Sequence, residues 1–213
     1  MRQNPSFVLE DTEEIKRLVR ENPWATIVAN TASGLVASHY PIVLDETRDE
    51  VSILTHVGRP DESVLELGDT EIMMIVQGPH GYISPGWYDA KPAVPTWNFV
   101  VAHLHGVPEI LSEEENFRVL GELVDHFEQH MAEPRRMEGT LENADYAKRI
   151  SAGTVGVRFT PKRIVAKSKL SQNRPDDTVD TIIGQLEGDG PYAQPALAAE
   201  MRRVHDFRRA ARG

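Results

Sequence analysis

The stretch Gln77–Gly106, QGPHGYISPGWYDAKPAVPTWNFVVAHLHG, decides how the chain is read. It is entered through an apolar run, Ile72-Met73-Met74-Ile75-Val76, with the composition of a buried strand, and it ends in Phe99–Leu104, which reads as a second. The connector between them is dense in glycine, proline and aromatic residues and is too long for a hairpin turn. Connectors of that length without regular structure are functional or disordered. Tyr82, Trp87, Tyr88 and Trp97 argue against disorder, because each can bury about 150–250 Å² of surface. Pro79, Pro85, Pro92 and Pro95 argue the same way by fixing φ. The expectation is an ordered loop that lines a pocket.

Working outward, Trp24–Ala29 and Leu35–Leu44 read as a strand pair around the turn Thr31-Ala32-Ser33-Gly34, and Val51–Val57 as a third strand. Upstream, Asp11 with Glu14 three residues on caps a helix that Asn22-Pro23 stops. Pro60 suits the first turn of a short helix through Leu67. Downstream, a strand is expected over 98–110 and a helix from Ser112-Glu113-Glu114-Glu115. Phe117, Leu120, Val124 and Phe127 give that helix an apolar face. A helix over 143–151, strands Thr154–Phe159 and Arg163–Leu170, and helices from Asp176 to Leu186 and from Pro195 to about Arg209 complete the chain. About six or seven antiparallel strands with late helices predict a mainly β protein with helical additions (α+β), a barrel or sandwich. One domain is expected over 1–213, with a helical insertion at about 113–151 and a helical tail at about 176–211.

Composition narrows the function. A net charge of -10 opposes bulk attraction to DNA and to anionic lipid. The absence of cysteine removes disulfides, thiolate metal sites and cysteine nucleophiles. The start MRQNPSFVLEDTEE lacks an apolar signal core, and no run of about 18 apolar residues occurs. A cytoplasmic protein is expected. The basic tail (Arg202, Arg203, Arg208, Arg209, Arg212) reads as a solvated helix end.

Two clusters carry candidate chemistry. Ser38-His39 and Thr55-His56, with Arg59 between a strand end and a helix start, form a natural anion site of hydroxyl, guanidinium and free N–H groups. Lys167, Ser168, Lys169, Leu170, Ser171, Gln172, Asn173 and Arg174 form the second; its lysines share a strand face and repel unless an anion or carboxylates lie near. His103 and His105 share a face too, but no carboxylate spacing accompanies them, so no metal is expected. No G-x-G-x-x-G, P-loop or G-x-S-x-G pattern occurs.

Three segments taken together, QGPHGYISPGWY (77–88), VPTWNF (94–99) with AHLHG (102–106), and KLSQNR (169–174), closely resemble the PaiB-type FMN-binding family, whose label is "negative transcriptional regulator". ENPWATIV (21–28), SHYPIVLD (38–45) and GTVGV (153–157) extend the resemblance over most of the chain. It implies the FMN-binding split β-barrel also used by pyridoxamine phosphate oxidases, with FMN as cofactor and a homodimer as the assembly. In those oxidases a strand ending in Thr-Asn, then an arginine, holds the flavin phosphate; Thr55, His56 and Arg59 match that place. The oxidases' late Arg-Leu-His-Asp segment resembles Lys169, Leu170, Ser171 and Gln172. The chain departs from the family's Asn-Pro-x-Trp after the third strand, with Arg59-Pro60-Asp61-Glu62 there.

The implied cofactor contacts are therefore Ser38, His39, Thr55, His56, Arg59, Gln77, Trp97, Asn98, Lys169, Gln172 and Asn173, with Gln77 and Asn98 suited to the pyrimidine edge and Trp97 to the ring face. A flavin protein that oxidises or reduces a small molecule is the leading expectation. A regulator of the PaiB type and a haem-binding or haem-degrading split barrel are the alternatives. Direct DNA binding is not expected.

Overall fold

The computed structural model describes residues 1, 4–88 and 92–212. Residues 89–91, the middle of the connector, lie outside the described residues. In chain order the strands are β1 (Val8–Leu9), β2 (Trp24–Thr31), β3 (Gly34–Leu44), β4 (Ile53–Gly58), β5 (Ile72–Ile83), β6 (Thr96–Gly106), β7 (Glu109–Ile110), β8 (Thr154–Phe159) and β9 (Arg163–Lys169). The helices are α1 (Thr12–Glu21), α2 (Arg59–Val64), α3 (Glu113–Glu128), α4 (Leu141–Ser151), α5 (Asp176–Glu187) and α6 (Pro195–Ala210). Two compact units emerge, a larger one of Asp11–Gln77 with Ala102–Val165 and a smaller one of Met1–Glu10, Gly78–Val101 and Ala166–Gly213. The division of the chain falls within β5, β6 and β9.

In the larger unit the strands follow the order β5-β2-β3-β4-β8-β7. The β2–β3 hairpin pairs Thr31 with Gly34 around a two-residue turn. Gly34 sits at φ 105°, a conformation open to glycine and strained for other residues. Alternation along β2 buries Ala25, Ile27 and Ala29, and Ile42, Ile53, Val57, Met74, Val157 and Phe159 of β3, β4, β5 and β8 are buried as well. Burying such side chains contributes about 1.5–3 kcal/mol each. Helix α3 starts at the capping box Ser112/Glu115 that the sequence announces. Its buried stripe is Asn116, Val119 and Leu123, one position away from the expected Phe117, Leu120, Val124 and Phe127. Val119 and Leu123 join Val43, Leu54 and Leu111 in one cluster, while Phe127 is 42% exposed. The helix has apolar residues on both flanks, and the sheet chose between them. Gly156 permits the approach: a Cβ there would lie 2.8 Å from the Asn116 Cα.

In the smaller unit β1 pairs antiparallel with β9, Val8 opposite Lys167. Val179, Ile182, Ile183 and Leu186 of α5 and Leu197, Ala198 and Met201 of α6 are buried, with Phe7, Ile83, Val100, Ala166 and Leu170. Arg202 pairs with Glu187, and Arg209 with Asp180, tying α6 to α5.

The connector is shorter than its glycines and prolines suggest. Strand β5 continues to Ile83, and Pro85–Trp87 then forms one 3-10 turn. Burial alternates regularly to Gly78 and slips by one residue at Pro79–His80 before resuming at Gly81. A strand that shifts phase tolerates proline where an unbroken one does not. Conversely, the single strand expected over 98–110 divides into β6 and β7 at Val107-Pro108.

Candidate functional site

The candidate residues fall into two sets, one in each unit, and each has its own geometry. In the larger unit β3 and β4 are neighbours, and the fully buried Thr55 donates its hydroxyl to the Pro41 carbonyl at 2.6 Å. Beside it His56 is half-buried, its ring edge toward Tyr40 with centroids 6.1 Å apart. Burial holds the His56 pKa below the usual histidine value, and its Nδ1 makes no hydrogen bond. Ser38 and Tyr40 both donate to one oxygen of Asp61, at 2.7 Å each, and the Gly58 amide donates to the Tyr40 hydroxyl at 3.0 Å. Those bonds from Tyr40 and Ser38 hold the Asp61 carboxyl below the usual range.

Arg59 is engaged as well. Its Nε donates to the Ala152 carbonyl at 3.0 Å and its Nη2 to the Thr154 carbonyl at 3.2 Å, with Glu62 3.8 Å away. The guanidinium therefore ties α2 to the start of β8. It stands on a cleft of about 760 Å³ on which Glu62, Glu113, Glu114, Glu138 and Asp145 face only Arg59 and Lys148. His39 and Gln77 are exposed on their strands.

The second set lies in the smaller unit. Alternation along β6 puts Trp97 and Phe99 on one face and Asn98 and Val100 on the other. Trp97 and Asn98 are thus not on one wall. Trp97 is 54% exposed, stacked on His80 at 6.5 Å between ring centroids and edge-on to Tyr82 at 6.3 Å. Asn98 is fully buried; its Nδ2 donates to the Ser171 hydroxyl at 2.9 Å and to the Met201 sulfur at 3.4 Å. Ser171 takes φ 62°, unusual for a residue with a side chain. The turn is held from within by Gln172, which accepts from the Leu170 amide at 2.6 Å and donates to the Ser168 carbonyl at 2.5 Å. Asn173 is exposed.

Around this turn sit three cations. Lys169 donates to the Thr96 hydroxyl and to the Trp97 carbonyl. Burial, then Lys167 and Arg174, push its pKa below the ordinary lysine value. Lys167 lies over the rings of Phe7 and Phe99, at 5.9 and 5.6 Å, and Arg174 over Tyr88 at 5.9 Å. No ion pair joins any of the three to a carboxylate among the described residues. Cations without carboxylates, set among flat rings, suit an anionic ligand that carries an aromatic system. That chemistry fits a flavin bearing a phosphate. Asp61, Tyr40, Thr96 and Phe99 were not singled out in the sequence. Period-2 alternation from Trp97 would have found Phe99; the others had no local signal.

Residues 1–163 match the family described as "Putative FMN-binding domain". The chain belongs to that family. FMN is accordingly its cofactor, and the resemblance carried by QGPHGYISPGWY and its companion segments was to the right family. Residues beyond 163, Lys167–Arg174 among them, lie outside that match. The chain is 29% identical over 193 residues to "Protease synthase and sporulation protein PAI 2" of Bacillus subtilis, covering 86% of this chain and 87% of that protein. Among solved structures it is similar to the "FAD and Heme binding protein" of Mycobacterium smegmatis, with a TM-score of 0.55 at 17% identity, covering 85% of this chain and 80% of that one. It is also similar to the flavocytochrome Anf3 of Azotobacter vinelandii, with a TM-score of 0.56 at 14% identity, covering 79% and 72%. These likenesses establish the fold, the antiparallel split β-barrel with added helices. Among the described residues no helix is long and apolar enough to cross a membrane, and no group of three histidine or acidic residues could hold a metal.

Proposed function

We propose that the protein binds FMN and uses it to oxidise or reduce a small molecule. One observation carries the reading: Lys167 and Arg174 lie over aromatic rings, Lys169 has only two neutral oxygens as acceptors, and none of the three has a carboxylate partner among the described residues. A bound anion relieves their mutual repulsion. In this reading Lys169, with Lys167 and Arg174, holds the anionic parts of the flavin, and Trp97 offers it a flat wall. Gln172 and Asn98 keep the turn in shape, and Asn173 offers an exposed amide. Ser38, His39, Thr55, His56, Arg59 and Gln77 form the second set of proposed contacts. Of these, Ser38, Thr55 and Arg59 already spend hydrogen bonds on the protein itself, so their larger role is to hold the β3–β4–α2 corner. Bound flavin supplies two-electron redox chemistry; the protein supplies position and charge.

The test is a titration of the purified protein with FMN and with riboflavin, followed by anaerobic reduction with NADH, NADPH and dithionite. Expected are saturable FMN binding at least about tenfold tighter than riboflavin, as one charge-assisted phosphate contact provides, and reversible bleaching of the bound flavin. No affinity for either flavin, or a bound flavin that none of the reductants bleaches, overturns the reading.

A regulatory role, if the protein has one, is in our reading indirect. Arg202, Arg203, Arg209 and Arg212 of the basic tail are each paired with carboxylates, which leaves them poorly placed for phosphates. A nanomolar complex with promoter DNA at physiological salt would refute this. We also read the protein as a homodimer. The family resemblance implies that assembly, and Trp24 and Leu35 on the β2–β3 hairpin, 58% and 78% exposed, are apolar side chains available to such an interface. A monomer by light scattering at high concentration removes that claim.

A further inference from the structure

Helix α6 lies beyond the family match, and its arginines look alike in sequence. Three of them, Arg202, Arg203 and Arg209, pair with carboxylates, as does Arg212 just past the helix. Arg208 does something different. It is half-buried, and its Nη1 donates to the backbone carbonyl of Gln172 at 2.5 Å. The same helix reaches this region twice more. Met201 accepts from the Asn98 amide, and Leu197 packs so close to Gly81 that a Cβ there would come within 2.9 Å of it.

The turn that Arg208 grips needs external support. Ser171 at φ 62° is a conformation that persists only when its surroundings over-determine it. Inside the turn, the Gln172 side chain bonds to Leu170 and Ser168, and the Arg174 amide donates to the Ser171 carbonyl at 2.9 Å. From outside come two ties, Asn98 to Ser171 and Arg208 to Gln172. The first fixes a side chain. The second fixes the backbone between Lys169 and Arg174.

We infer that Arg208 is a positioning residue of the cofactor site: by holding the Gln172 carbonyl it sets the turn that presents Lys169 and Arg174, and it makes α6 a working part of that site. The inference rests on the FMN reading given above. It touches no reacting atom and acts through the turn alone.

Three variants test it: Arg208→Ala, Arg208→Lys and Arg202→Ala. The last breaks an exposed ion pair between α6 and Glu187 and leaves the turn untouched. Each is measured for FMN affinity and, without flavin, for amide hydrogen exchange at Leu170 and Arg174. Arg208→Ala should lose about tenfold in FMN affinity and exchange both amides faster. Arg208→Lys should recover most of both, since an ammonium can donate to the same carbonyl; if the alanine variant fails to fold, Arg208→Met, which keeps the aliphatic packing and loses the donor, takes its place with the same expected losses. Arg202→Ala should match wild type. Unchanged exchange in Arg208→Ala, equal acceleration in Arg202→Ala, or faster exchange with unchanged FMN affinity would each overturn the inference. If the wild type binds no FMN while exchange responds as expected, the FMN reading falls and the grip on the turn stands.

Discussion

Arg59 and Lys169 carry the same charge at comparable points of the chain, each at or just past the end of a strand, yet their surroundings differ. Arg59 spends its guanidinium on two backbone carbonyls and has Glu62 3.8 Å away. Its neighbour Ser38 is likewise turned toward a carboxylate, Asp61. Lys169 has two neutral oxygens as acceptors, cations nearby, and its charge disfavoured by burial and by those cations. A cation already satisfied by the protein stabilises the fold; one left short of negative charge is ready for a ligand. Residue type alone does not separate the two cases.

The sharpest way to break this comparison is charge reversal. Replacing both Lys167 and Lys169 by glutamate should cost at least about a hundredfold in FMN affinity, because two attractive contacts become repulsive. Arg59→Ala should lose less than about tenfold, since its bonds to Ala152 and Thr154 already occupy the guanidinium. Calorimetric titration with FMN and riboflavin decides it. A larger FMN-specific loss in Arg59→Ala than in Lys169→Ala would return the phosphate to the β4–α2 corner.

The next effect is on stability. Asn98→Ala removes the partner of a buried serine hydroxyl and leaves a small hole beside Met201, and should lower unfolding free energy by about 1–3 kcal/mol. Thr55→Val, which leaves the Pro41 carbonyl without its donor, should cost an amount of the same order in the larger unit. Chemical denaturation measures both. If Asn98→Ala weakens FMN binding with no loss of stability, Asn98 meets the cofactor directly.

Much of the fold was legible because local signals agreed with tertiary demand. Ser112 with Glu115, Asp11 with Glu14, the Thr31–Gly34 turn and the alternation of Thr154–Phe159 each name an element and its end. The extension of β5 through Gly78-Pro79 was not legible, since glycine and proline read as breakers wherever strand pairing is out of view. The face of α3 was misplaced because apolar residues flank the buried stripe on both sides. Part of the proposed site was legible: Lys169 and Arg174 of KLSQNR stand out in sequence, and the resemblance implied a contact for Lys169. What escaped was availability. Nothing adjacent in sequence shows that Asp61 takes Ser38, that Thr154 takes Arg59, or that Arg208 grips Gln172, because those partners are 23, 95 and 36 residues away.

A smaller effect sharpens the larger unit's side of the comparison. Tyr40→Phe deletes the donor to Asp61 and the acceptor for the Gly58 amide, at a cost of about 1 kcal/mol near neutral pH. Asp61 has a folded pKa below its unfolded value, so its contribution is present above the unfolded pKa, near 3.9, and is lost as pH falls through the folded value. The gap between wild type and Tyr40→Phe should therefore narrow on acidification. A gap that stays constant down to about pH 2.5 would show that the Asp61 charge has no part in it.

The smallest effect belongs to Lys169, and its sign is opposite to that of a lysine in a salt bridge. A lysine that gains a carboxylate has a raised pKa and loses stabilisation at high pH. Here burial, Lys167 and Arg174 lower the pKa, so between the folded value and the unfolded value near 10.4 the unfolded chain binds more protons than the folded one. Stability should rise with pH across that window. Lys169→Gln removes the titrating group, and its denaturation curve should lack that rise relative to wild type when both are followed without flavin from about pH 7 to pH 10. The effect is small because the ammonium is partly in water and keeps two hydrogen-bond acceptors. Bound FMN should reverse it: an anion beside Lys169 raises its pKa, so FMN affinity should fall as pH climbs toward 10. Wild type and Lys169→Gln responding alike to pH, with and without FMN, would mean that Lys169 is no more strained than Arg59, and the contrast between the two corners would disappear.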